Sequence, residues 1–155
     1  LPGGLFGKKA APDGQSLLPE GGAPRCFAVL GCNVVGCLAL AVLRQTCPCA
    51  LLIGVDEVME RRKIAKSQGA DHAVTPKEIR SLMDRVAPHG CDGIVEAVGN
   101  SAAVVETALS LIADGGTLAL VGTGLAYGLS PFLSPEVCIE RNLTVRYGCG
   151  SRTKL

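Results

Sequence analysis

The sequence predicts an α/β fold: a doubly wound, six-stranded parallel sheet with helices on both faces, in three αβα layers. Three observations lead to this class. Six short apolar segments alternate with segments of helical periodicity, which is the rhythm of strand–helix units in parallel sheets. The strand segments are apolar at successive positions, as expected of strands buried on both faces. Twenty glycines in 155 residues supply tight turns between strands and helices.

Each element follows from a local pattern. Apolar runs predict strands, and a 3.6-residue spacing of apolar side chains predicts helices between them. The strands are predicted at Cys26–Gly31, Ala50–Asp56, Ala73–Thr75, Gly93–Val98, Gly116–Val121 and Leu143–Tyr147. The helices are predicted at Val34–Arg44, Glu57–Gln68, Ser101–Ile112, a short one near Pro135–Glu140, and one after Thr75 with Ile79, Leu82, Met83 and Val86 on one face.

The helix after Thr75 has the strongest local start signal. Thr75 is a capping residue, Pro76 suits the first helical position, and Glu78 can close a capping box with Thr75. Gly69 suits the C-terminal cap of the preceding helix.

Composition excludes several functional classes. A net charge of +1 offers no basic field for nucleic acid, and aromatic residues, at 3%, are too few for base stacking. The eight cysteines are scattered, mostly in apolar runs, and no secretory signal is recognised, so free thiols and a cytoplasmic location are expected. Cys47 and Cys49 lack zinc or redox spacing, and no metal site is expected in this chain.

Other polar residues give weak signals. His72 and His89 have no acidic partner at ligand spacing and are expected on the surface or in loops. Asp92 is expected to serve a turn, and Glu96 to make a polar contact near the carboxyl end of the sheet. No catalytic group is predicted from these four residues.

The segment Gly31-Cys32-Asn33-Val34-Val35-Gly36 lies between the first strand and the first helix and matches an imperfect dinucleotide-binding fingerprint. Gly31 would make the tight turn, Gly36 would let helix and strand pack closely, and phosphates would rest on N–H groups of the helix N-terminus. Asn33 replaces the middle glycine. Asparagine tolerates left-handed dihedrals, so the turn is expected to form, while its side chain is expected to crowd the phosphates and weaken binding.

Asp56 ends the second strand, where a carboxylate can accept hydrogen bonds from the adenosine ribose. Its charge, with that of Glu57, would repel a 2′-phosphate, so NAD is expected rather than NADP. Arg61 and Arg62 leave NADP open as the alternative, because a nearby arginine can hold the 2′-phosphate. The other interpretation of these two arginines is a solvated helix face. Residues 26–150 are thus expected to be a dinucleotide-binding domain, between a loose leader or linker remnant at 1–25 and a tail at 151–155.

A membrane span is the competing interpretation of residues 26–43. Asn33 is the one polar side chain of this stretch, and the length suffices for a span. Gly31 and Gly36 interrupt it where a strand–turn–helix needs breaks, so no membrane partner is expected.

Four runs together resemble the cofactor (Rossmann) domain of the medium-chain, zinc-type alcohol dehydrogenase superfamily: VLGCNVVGCLALAVL, IGVDEVMERRKIAKSQGADHAV, CDGIVEAVGN and DGGTLALVG. The resemblance covers about residues 25–150. It implies that the pyrophosphate contacts Gly31, Asn33, Val34, Val35 and Gly36, and that the adenosine ribose contacts Asp56, with Glu57 beside it. At the adenosine end it implies Arg61, and beside the adenine it implies Ala97, Val98 and Gly99. Near the nicotinamide it implies Val121, Gly122 and Thr123, with Gly148 near the carboxamide.

The resemblance also implies what this chain lacks. Family members carry a separate catalytic domain with a catalytic zinc and often a four-cysteine structural zinc, and neither motif is found here, so zinc is expected only in the missing catalytic domain. Family members commonly dimerise through sheet edges, which would be Leu143–Tyr147 here.

The expected function is therefore an NAD(H)-binding domain of an alcohol dehydrogenase-like oxidoreductase. Such an enzyme oxidises an alcohol to an aldehyde or ketone with hydride transfer to NAD, and this chain is expected not to be catalytic alone. A stand-alone nucleotide-binding or interaction module is the alternative. A degenerate product that does not bind is a third interpretation.

Overall fold

The computed structural model describes residues 25–99, 101–122 and 133–148. Along the chain its elements are β1 (Cys26–Leu30), α1 (Val34–Thr46), β2 (Leu51–Val55), α2 (Met59–Ser67), β3 (His72–Val74), α3 (Ile79–Val86), β4 (Cys91–Glu96), α4 (Ala102–Leu111), β5 (Ile112–Leu120), α5 (Pro135–Glu140) and β6 (Thr144–Tyr147).

All six strands pair in parallel in one sheet of order β3-β2-β1-β4-β5-β6. The chain winds from β1 outward to β3, then crosses to β4 on the other side of β1 and winds outward again. This order confirms the predicted doubly wound fold, and it reverses direction between β1 and β4. In open parallel sheets, ligands bind outside the carboxyl ends of the strands at this reversal.

The core has two halves, one on each face of the sheet. Cys26, Ala28 and Leu30 of β1 pack with residues of α3 and α4, whereas Phe27 and Val29 pack with residues of α1 and α2. Alternate residues of one strand thus enter opposite cores, because successive side chains of a strand point to opposite faces. This explains why β1 is apolar throughout, and it gives the three predicted layers.

Most element ends differ from the predictions by one or two residues, and the start of β5 differs by four. Helix α2 begins at Met59 instead of Glu57, because the Asp56 side chain accepts a hydrogen bond from the Val58 N–H, and Val58 stays extended. Strand β5 begins at Ile112 instead of Gly116, with a register shift against β4.

One of the two hydrogen bonds of the predicted capping box forms. Glu78 Oε2 accepts from the Thr75 N–H at 2.8 Å, but the Thr75 hydroxyl donates to the same carboxylate instead of capping the helix.

The membrane interpretation of residues 26–43 is wrong, since these residues form β1, a turn and the first part of α1. Among the described residues, no helix is long and apolar enough to cross a bilayer.

Candidate functional site

A cleft of about 480 Å³ opens at the carboxyl ends of β1 and β2. Six of the predicted site residues line it: Gly31, Asn33, Asp56, Glu57, Arg61 and Val98. The ends of β1 and β2 and the turn after β2 add Leu30, Val55 and Val58, while α4 and the segment before α3 add Pro76, Ala103, Val104 and Thr107. The last four were missed in the sequence, because only the tertiary fold brings them to this cleft.

The turn after β1 needs glycine at both of its ends. Gly31 has φ +91°, and a Cβ there would lie 2.8 Å from a methyl group of Val98. A Cβ at Gly36 would lie 1.8 Å from the Gly31 carbonyl oxygen. The backbone of α1 therefore approaches the end of β1 more closely than any side chain permits, which is the geometry expected of the first and third fingerprint glycines.

Asn33 uses both ends of its amide to hold this turn. Its Oδ1 accepts from the Gly36 N–H at 3.1 Å and caps α1, while its Nδ2 donates to the Ala97 carbonyl oxygen at 2.8 Å. The Asn33 backbone is extended, with φ −73° and ψ −171°. The turn therefore forms without a left-handed Asn33, because Gly31 supplies its positive φ.

The N-terminus of α1 presents two unused donors. The described residues offer no hydrogen-bond acceptor to the N–H groups of Val34 and Val35, because first-turn N–H groups have no partner within a helix. Both side chains are exposed, and the first turn holds no acidic residue. The aligned peptide dipoles add partial positive charge at this end, which favours an anion.

Asp56 ties the ends of β1 and β2 together. Its carboxylate is 8% exposed and accepts from the N–H groups of Cys32 and Val58, both at 2.8 Å. The Arg61 guanidinium lies 3.7 Å from Oδ2. Burial, and then the Asp56 carboxylate, raise the pKa of the Cys32 thiol to about 12, so Cys32 is no nucleophile at neutral pH.

The two neighbouring arginines have different roles. Arg61 lies at the rim of the cleft with about half of its side chain exposed. Arg62 instead donates to the carbonyl oxygens of Asp56 and Glu57, both at 2.8 Å. Of these two arginines, Arg61 is thus the one that offers a guanidinium to a molecule in the cleft.

Glu96 organises the loop after β4, although sequence reasoning gave it no site role. Its side chain is fully buried, and Oε1 accepts from the N–H groups of Val98 and Gly99, both at 2.8 Å. Its carbonyl oxygen accepts from Val121 and Gly122 at 2.9 and 3.0 Å. An acidic residue inside an apolar strand segment was the available signal, since buried carboxylates need such partners.

Four other predicted residues, Val121, Gly122, Thr123 and Gly148, lie away from the cleft or outside the described residues. The Gly148 N–H donates to the Leu120 carbonyl oxygen, so Gly148 lies beside Val121 and Gly122 at the ends of β5 and β6. These three do not line the cleft of Gly31 and Asp56. Thr123 lies outside the described residues.

The described residues do not fit a metal centre. In residues 25–99, 101–122 and 133–148, no group of three or more His, Cys, Asp or Glu side chains is placed to hold a metal ion. A dinucleotide does fit, because the turn has the close glycine backbone and the two unused N–H groups that a pyrophosphate needs.

Comparison with known families agrees with this geometry. The model of a family described as zinc-binding dehydrogenase matches residues 34–153, well over half of the chain. Two curated relatives are L-threonine 3-dehydrogenase of Caldanaerobacter subterraneus, 28% identical over 101 residues, and D-guloside 3-dehydrogenase of Escherichia coli, 32% identical over 99 residues. The matches cover 63% and 60% of this chain but only 28% and 27% of those proteins.

This chain also resembles a solved structure in sequence and fold. Alcohol dehydrogenase TADH from Thermus sp. ATN1 is 30% identical with a TM-score of 0.68, and the match covers 82% of this chain and 36% of that one. The chain thus spans about a quarter to a third of the length of these relatives.

Proposed function

Because the chain belongs to the zinc-binding dehydrogenase family, an oxidoreductase family, we propose that residues 26–150 are an NAD(H)-binding domain. The cleft at the ends of β1 and β2 is the observation that carries this proposal. It combines an anion-binding helix N-terminus with a buried carboxylate at the end of the neighbouring strand.

The pyrophosphate lies over the N-terminus of α1. The unused N–H groups of Val34 and Val35 donate to its oxygens, and Gly31 and Gly36 keep side chains out of its path. Asn33 supports this arrangement from the side, because its amide is already occupied by Gly36 and Ala97. The Asn33 side chain therefore fixes the turn that presents the donors.

The adenosine ribose lies against Asp56. Each Asp56 oxygen accepts one backbone N–H, which leaves further lone pairs for ribose hydroxyls. A 2′-phosphate would bring negative charge against this carboxylate. Arg61 offsets that repulsion only in part, since it already lies 3.7 Å from the same oxygen. NAD is therefore preferred over NADP.

The contribution of this chain to a dehydrogenase reaction is to bind and orient the nicotinamide cofactor. The cofactor, when bound, would accept or donate hydride. Zinc would polarise the alcohol or carbonyl oxygen in such enzymes, but the described residues do not fit it, so no zinc-dependent step is assigned to them. A homodimer is further proposed at β6, one of the two edge strands of the described sheet, where Thr144 and Tyr147 are exposed.

A titration with NADH and NADPH, followed by nicotinamide fluorescence, tests this proposal. NADH is expected to bind at least tenfold more tightly than NADPH. Asp56→Asn keeps the size of the side chain but removes its charge and one of its two acceptor oxygens. It is expected to weaken NADH binding by about tenfold and to narrow the preference for NADH over NADPH. Zinc analysis and alcohol-dependent NADH formation, measured alongside, separate a catalytic chain from a binding module.

Arg80→Ala is the matched control, because Arg80 lines a different cavity, near the amino end of β4. It is expected to bind NADH like the parent chain. If neither the parent chain nor Arg80→Ala binds either nucleotide, the proposal fails. Equal affinity for both nucleotides would leave nucleotide binding intact and refute the role given to Asp56.

A further inference from the structure

Two buried thiols lie in contact at the amino ends of the central strands, opposite to the cleft. Cys26 begins β1 and Cys91 begins β4, its parallel neighbour. The two Sγ atoms are 3.6 Å apart, although the residues are 65 positions apart in the sequence. Their exposed fractions are 3% and 0%. The sheet thus holds two sulfurs side by side without a bond between them.

The environment makes the two thiols unequal. The contact between the two sulfurs lowers the pKa of the Cys26 thiol. The same contact, together with burial, raises the pKa of the Cys91 thiol. Of the two sulfurs, Cys26 is thus the one whose thiolate is favoured, and the thiolate is the form that attacks an electrophile.

A small cavity lies close to the pair. A cavity of about 150 Å³ near the amino end of β4 is lined by Met83 and by Gly90, the residue before Cys91. Met83 Sδ lies 3.8 Å from Cys91 Sγ, so one side chain separates this cavity from the thiols. The cavity has room for a molecule of the size of water or peroxide.

We propose that Cys26 and Cys91 form an oxidative modification site, which hydrogen peroxide or a small hydroperoxide converts to an intramolecular disulfide. The Cys26 thiol gives up its proton, its thiolate attacks a peroxide oxygen and the O–O bond breaks. A sulfenic acid forms, and the leaving hydroxide (or alkoxide, from a hydroperoxide) takes up the released proton and departs as water (or alcohol). The Cys91 sulfur then attacks the Cys26 sulfur and displaces the hydroxyl, which leaves as water with the Cys91 proton. Two thiols thus lose two electrons and two protons, and the peroxide is reduced.

A disulfide suits this position better than a soft metal ion. A monovalent ion on two thiolates would leave net negative charge in the core, near the Asp92 carboxylate, which accepts from the Cys26 N–H at 2.8 Å. A disulfide is neutral and leaves the apolar core uncharged.

The test treats the reduced full chain with hydrogen peroxide in native buffer, alkylates the remaining thiols after denaturation, and maps the peptides by mass spectrometry. The expected product has lost two alkylatable thiols and contains one cross-linked peptide that joins Cys26 to Cys91. Dithiothreitol is expected to restore both thiols. The rate is expected to rise with pH, because the thiolate is the attacking species.

Variants distinguish this pair from the other cysteines. Cys26→Ser and Cys91→Ser should each abolish the cross-linked peptide, whereas Cys49→Ser, which removes an exposed thiol, should keep it. If a core variant fails to fold by circular dichroism, the parent chain oxidised in urea replaces it, and random pairings are expected there. The proposal is overturned if all thiols stay alkylatable in native buffer, if oxidation yields no Cys26–Cys91 bond, or if native and unfolded chains give the same pairings.

Discussion

Asn33 joins the turn after β1 to the end of β4 through both ends of its amide. Asn33→Gly removes the hydrogen bond to Ala97 and weakens the cap of α1, so the free energy of unfolding is expected to fall by about 1 kcal/mol. NADH is expected to bind roughly three- to tenfold more weakly, because the turn then holds its donors less firmly. Urea unfolding and NADH titration measure the two effects.

Asn142→Gly is the matched control. Asn142 has φ +51°, a conformation that glycine adopts without strain, so this change is expected to leave stability within about 0.5 kcal/mol. Tighter NADH binding by Asn33→Gly would mean that the amide obstructs the pyrophosphate, as the sequence alone suggested.

The residues of the site differ in how far the sequence could predict them. Gly31 and Asp56 could be predicted because their signals are local: a glycine turn after one strand and a carboxylate at the end of the next. The role of Asn33 could not be found, because its partner Ala97 lies 64 positions away. Glu96 was expected to make a polar contact near the end of the sheet, but which N–H groups it binds depends on the folded loop.

At the scale of elements, the contact between β1 and α1 depends on Gly36. Gly36→Ala places a methyl group against the Gly31 carbonyl oxygen, which is backbone and cannot move aside. The helix must shift, so the free energy of unfolding is expected to fall by about 3 kcal/mol or more, and NADH binding is expected to be lost. Urea unfolding followed by circular dichroism measures the loss.

Gly115→Ala gives the comparison for Gly36→Ala. Gly115 has φ +78° and no atom within 4 Å of a built Cβ, so alanine there meets only backbone strain, which costs about 1 kcal/mol. Similar losses at both glycines would show that α1 and β1 do not pack as closely as the contact distance implies.

Element type was predictable where the pattern was periodic, and element ends were not. The strand–helix alternation predicted all six strands and a doubly wound parallel sheet, because apolar runs and helical spacing are properties of neighbouring residues. The start of α2 depends on the Asp56 side chain, which holds the Val58 N–H outside the helix. The early start of β5 depends on pairing with Cys91, a contact between distant segments.

At the scale of the whole molecule, the cleft gathers segments from both halves of the sheet. The turn after β1, the end of β2 and the loop after β4 all reach it, and Asp56, Asn33 and Glu96 hold these segments through hydrogen bonds. A ligand that contacts all three segments stabilises the fold as a unit, because they separate when the chain unfolds.

Thermal unfolding is therefore expected to respond to NADH. At a concentration about one hundred times its Kd, a ligand that binds only the folded chain adds about 2.7 kcal/mol. For a domain of this size, that raises Tm by roughly 5–10 °C. Asp56→Asn is expected to show a smaller rise at the same NADH concentration, since its Kd is larger. A fluorescence titration that shows NADH binding, without any rise in Tm, would mean that the nucleotide binds the unfolded chain as well. The folded cleft would then not be its site.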